Sequence, residues 1–106
     1  MASNSKLLTS EKADLKDFKK SMPKNMAFEQ SGPVTVLVRV MPNCVQVSTA
    51  LASHNEKKVR AKVGRYWAAQ RMVDNIYVSL PRPDLYLAKG RTEAQAAAEY
   101  FAELFN

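Results

Sequence analysis

Residues 33–51 read PVTVLVRVMPNCVQVSTAL, and the fold follows from this stretch. Val34, Val36, Val38 and Val40 alternate with Thr35, Leu37 and Arg39, the period-two pattern of a strand with one face in a core. Pro42 and Asn43 supply a turn: proline fixes one dihedral, and asparagine tolerates the left-handed region. On the return, Val45, Val47, Thr49 and Leu51 share one face, with Gln46, Ser48 and Ala50 on the other. Pairing Val40 with Val45 brings every valine onto one side. A slip of one residue would turn the returning valines to the opposite side, so the pattern sets the register.

Outward from this hairpin the chain supplies helices on both sides. Ser53 and Glu56 have the spacing of a capping box, which predicts a helix over residues 54–73. Its stripe of Val59, Val63, Tyr66, Gln70 and Val73, bordered by Trp67, is expected to pack on the valine face. Asp74-Asn75 marks its end. Ile76, Val78 and Leu80 alternate again, and the turn Pro81-Arg82-Pro83-Asp84 leads into Leu85–Ala88, which reads as a second hairpin. Thr92 and Gln95 form a second box, opening a helix to about Phe105 whose apolar stripe is Ala94, Ala97, Ala98, Phe101 and Phe105.

Toward the N-terminus, residues 1–9 read as disordered. A helix over 10–22 follows, with Ser10 as N-cap and Leu15, Phe18 and Met22 on one side, ended by Pro23. Residues 24–32 read as a connector closing in a Gly-Pro turn. The expectation is a single α+β domain over residues 10–106, in the order α-β-β-α-β-β-α. Its four-stranded antiparallel sheet is expected to carry the helices on one face. The expected core is Val34, Val36, Val38, Val45, Val47, Val59, Val63, Ile76, Val78, Leu85 and Phe101.

Residue inventory argues against several chemistries. Cys44 is the only cysteine and His54 the only histidine, so neither a disulfide nor a Cys/His zinc site can be assembled within one chain. The three glycines are isolated and make no phosphate loop. The reading is therefore of a protein that is not an enzyme and holds no cofactor or metal. With no signal-like N-terminus and no long apolar run, the expected location is cytoplasmic.

Charge gives the functional lead. The net charge is +6, yet residues 92–106 carry Glu93, Glu99 and Glu103 with no basic residue, which leaves +9 on residues 1–91. Such a body attracts phosphates or acidic partners. On the helix expected over 54–73, Lys57, Lys58, Arg60, Arg65 and Arg71 surround the small residues Ala61, Gly64 and Ala68. Small residues inside a basic face would let a phosphate backbone approach closely. A second candidate is the outer sheet face, where Arg39, Tyr77 and Tyr86 could form a stacking platform for bases, unless the N-terminal helix covers it. The expected partner is nucleic acid, DNA or RNA, bound in an accessory or regulatory role. The alternative is a protein-binding modulator, of the kind mobile elements encode, docking on an acidic partner. A homodimer through the C-terminal helix would use its aromatic residues.

Overall fold

The computed structural model describes residues 7–51, 61–85, 87 and 89–106. Its elements are α1 (Thr9–Ser21), β1 (Met26–Ser31), β2 (Val34–Val40), β3 (Val45–Leu51), α2 (Ala61–Val73), β4 (Val78–Leu80) and α3 (Glu93–Phe105). The strands form one antiparallel sheet in the order β1-β2-β3-β4. The class is α+β, as the sequence indicates, but the order is α-β-β-β-α-β-α.

The valine hairpin has the expected register, with Val40 opposite Val45 and Val38 opposite Val47. Val36 and Val38 are fully buried. Two changes produce the different order. Residues 26–31 are not a connector but a strand, joined to β2 by the two-residue turn Gly32-Pro33. Gly32 takes φ +56, the left-handed value that the first central position of a type II′ hairpin turn requires and that glycine adopts without strain. Among the described residues the second hairpin does not form: of the segment 76–88, Val78–Leu80 is the described strand, paired with β3. Pro81 and Pro83 each lack an N–H, so the chain leaving β4 cannot build a ladder there. Leu85 packs instead against the valine cluster.

Helices cover both faces of the sheet, not one. On the valine face, α3 lies over β1 and β2. Its Ala94, Ala97, Ala98, Phe101 and Ala102 meet Ala27, Val34, Val36, Val38, Val45 and Val47 in the main core. Thr92 caps this helix, its Oγ1 accepting from the Gln95 backbone N–H at 3.1 Å. On the opposite face, α2 lies over β2 and β3, where Ala68, Ala69 and Met72 pack on Leu37 and Ala50.

That placement corrects the expected orientation of α2. The small residues face the sheet. A Cβ built on Gly64 would lie 2.9 Å from the Cβ of buried Thr35, and Ser48 Oγ donates to the Ala68 carbonyl at 2.7 Å. The stripe of Val63, Tyr66, Gln70 and Val73 turns away from the valine face. Tyr66 packs with Leu7 and Leu15, and Val63 adjoins that cluster. Tyr66, Gln70 and Val73 line a cleft shared with Asp14, Leu15 and Phe18 of α1. The Asp74-Asn75 terminus is as read: Asn75 has φ 60, its N–H donates to Met72 O, and the Ile76 N–H donates to Arg71 O. This is the paired bonding of a Schellman end.

The buried set includes Val34, Val36, Val38, Val45, Val47 and Phe101. Val63 and Leu85 are partly buried. Ile76 and Val78 are exposed, because α3 sits over the β1–β2 half of the valine face and leaves the β4 edge at the rim. Val59 lies outside the described residues. At the N-terminal end, the N-cap of α1 is Leu8 and not Ser10; the Leu8 N–H donates to the Glu11 carboxylate at 2.8 Å. No helix among the described residues is long and apolar enough to cross a membrane.

Candidate nucleic-acid interface

Among the residues singled out on the long helix, Lys57, Lys58 and Arg60 lie outside the described residues, as do the Ser53–Glu56 box and Tyr86. Arg65 is half-buried on α2. Arg71 is exposed at the last turn, and its guanidinium donates to the Thr49 carbonyl of β3. With Gly64 and Ala68 turned to the sheet, the close approach they allow is made by β2 and β3 and not by a ligand.

The sheet platform is likewise engaged within the fold. Arg39 Nε donates to Gln46 Oε1 at 2.6 Å, and Gln46 Nε2 donates to Tyr77 Oη at 3.3 Å. The Arg39 guanidinium stands 5.5 Å from the Tyr77 ring centroid, a cation–π distance. Arg39 and Tyr77 are thus brought together as the alternation suggests, but against one another. The helix that covers Leu37 and Ser48 on this face is α2, with Phe18 and Met22 of α1 packed at its margin.

The basic surface that the described residues do assemble lies on α1. Lys12, Lys16, Lys19 and Lys20 fall at i, i+4, i+7 and i+8, a spacing that lines one flank of a helix. Glu11, Asp14 and Asp17 fall on the other flank, and Asp14 lines the separate cleft toward Gln70 and Val73. The lysine flank faces Lys62 of α2. Together Leu7, Lys12, Leu15, Lys16, Lys19, Lys20 and Lys62 line a concavity of about 460 Å³. Every charged group in that lining among the described residues is cationic. Its floor is buried Leu7 and Leu15, which pack on Tyr66, with Phe28 and Val63 adjoining. The apolar side of α1 therefore fastens the helix while its lysines remain at the mouth.

The arrangement has a local cost. Lys12–Lys16 and Lys16–Lys20 are like charges at i,i+4, each unfavourable by about 0.2–0.5 kcal/mol. The helix dipole favours Lys19 and Lys20, which lie in the last turn. It does nothing for Lys12 and Lys16. Among the described residues the ion pairs are Arg82–Glu93 and Arg91–Glu99, so none of the five lysines has a carboxylate partner there. This flank was readable in the sequence as a helical spacing of lysines.

No group of residues able to hold a metal ion is present among the described residues. Comparison of the chain with family models, curated proteins and solved structures finds no match.

Proposed function

We propose that this protein binds nucleic acid through its phosphates, in an accessory or regulatory role, at the lysine-lined cleft between α1 and α2. The observation that carries the reading is that five lysines from two helices line one concavity with no carboxylate among its described lining residues. Lysine is a compact point charge on a flexible stem, suited to phosphate oxygens approached from varied angles. Sorting of lysines and acids to opposite flanks of α1 gives the helix one attractive side for a polyanion. The reading moves the interface from the 54–73 helix face to α1, with Lys62 as the contribution of α2.

A titration of duplex DNA, single-stranded DNA and RNA across a salt series tests it. Each neutralised phosphate on a duplex adds about −0.9 to the slope of log affinity against log salt, so two to three of them would lower affinity roughly 10- to 50-fold between 50 and 200 mM salt. The variant K12Q/K16Q/K19Q/K20Q is expected to lose most of that slope while keeping its helical content. Parent-like binding by this variant would remove α1 from consideration. Binding to an acidic protein with no affinity for any nucleic acid would replace the reading with the protein-modulator alternative.

A further inference from the structure

We infer that the cleft engages a run of two to three consecutive phosphates on one strand of duplex DNA and is indifferent to base sequence; the inference rests on the nucleic-acid reading. Lys12, Lys16, Lys19 and Lys20 ride along α1 over eight residues, which at the rise of an α-helix is about 12 Å. Phosphates of one strand recur about every 3.4 Å of duplex axis but wind around it at about 10 per turn, so neighbours along the strand stand roughly 6–7 Å apart. A strand lying along α1 therefore presents two to three phosphates to the row. Lys62 closes the same strand from the α2 wall, since it lines the same concavity.

The described lysine row spans about 12 Å of α1, which sets the length of strand it can hold. Among the described residues the cleft's cations are all lysine, none of them the planar fork that reads guanine bidentately. The arginine and tyrosine best suited to reading or stacking a base, Arg39 and Tyr77, are engaged with Gln46 and each other. Phosphate contacts of this kind fix position and carry no sequence information directly.

Fluorescence anisotropy with DNA hairpins of 16 and 32 base pairs, with AT-only and GC-only stems, between 25 and 200 mM KCl separates the possibilities. The expected slope is about −2 to −3 for both lengths. Affinities of the AT and GC stems should agree within about threefold at equal length. K62Q and K16Q should each flatten the slope by about one unit. A slope steeper by two units or more on the longer hairpin overturns the short run of phosphates. A tenfold preference for one stem overturns sequence indifference, and a silent K62Q overturns the two-walled cleft. In each of these cases binding is retained, so the nucleic-acid reading survives; absence of binding to every hairpin removes that reading as well.

Discussion

Replacing Gly64 by alanine sets two effects of opposite sign against each other. Alanine in a helix interior is favoured over glycine by about 1 kcal/mol. If Gly64 faced solvent or a ligand, Gly64→Ala would stabilise the protein by about that amount. In this fold the new methyl would sit 2.9 Å from Thr35 Cβ and closer still to its Oγ1. Thr35 is 2% exposed on a strand paired on both sides, so it has little room to give. Overpacking of this kind costs about 1–3 kcal/mol and occasionally more, and with a backbone-proximal carbon as the obstacle the upper part of that range applies. The net expectation is a loss of about 1–2 kcal/mol, which for a chain of this size lowers Tm by roughly 5–10 °C. Thermal unfolding followed by circular dichroism, with Trp67 fluorescence on α2 as a second probe, reads this directly. The double variant T35A/G64A removes Thr35 Oγ1 and should recover part of the loss, a coupling that a double-mutant cycle isolates. An unchanged or raised Tm for G64A would refute the packing of α2 on β2, and with it the orientation that leaves the lysine cleft as the open basic surface.

Arg71→Ala is expected to leave the salt slope of nucleic-acid binding unchanged, because its guanidinium is held by the Thr49 carbonyl; a slope flatter by one unit would return the α2 face to the interface. The same variant should cost about 0.5–1.5 kcal/mol of stability, read as a shift in the urea midpoint. Cys44→Ser should leave both fold and binding intact, since this half-buried residue sits beside a turn with no second cysteine in the chain; binding lost from a folded C44S protein would assign that thiol a role.

The hairpin of β2 and β3 was legible down to its register because burial of the valine face leaves one pairing that keeps all valines together. Strand β1 was less legible, since Glu29, Gln30 and Ser31 read as surface polarity. Its signal was in the turn: glycine followed by proline at 32 and 33, directly before a strong strand, is a two-residue hairpin loop. The second hairpin failed on Pro81 and Pro83, whose missing donors outweigh the alternation of the residues around them. The orientation of α2 was misread for a different reason. A helix is usually turned by its large apolar residues, but β2 and β3 present Thr35 and Ser48 on this face, both buried. Burying those hydroxyl residues requires close backbone approach, so Gly64 and Ala68 take the sheet and Tyr66 takes α1.

The same geometry explains why the described basic surface falls on α1 and not on the sheet. Both faces of the sheet are covered by helices, so a platform of strand residues is not on offer where α2 and α3 lie. The acidic tail does not offset the lysines. Glu93 and Glu99 are taken by Arg82 and Arg91 near the start of α3, on the valine face, with α1 packed against α2 on the opposite face. These pairs are partly exposed and contribute little to stability, about 0–1 kcal/mol each. Their effect is on the distribution of charge: they neutralise arginines at the α3 end and leave lysines as the concentrated cations at the α1–α2 end. On the proposed reading a polyanion is drawn to the described lysines there, and the attraction extends only about 8 Å at physiological ionic strength. Long-range steering at low salt and contact at high salt thus draw on the same five side chains. That is why neutralising α1 is expected to lower the association rate and the equilibrium affinity together, while substitutions on α2 beyond Lys62 alter neither.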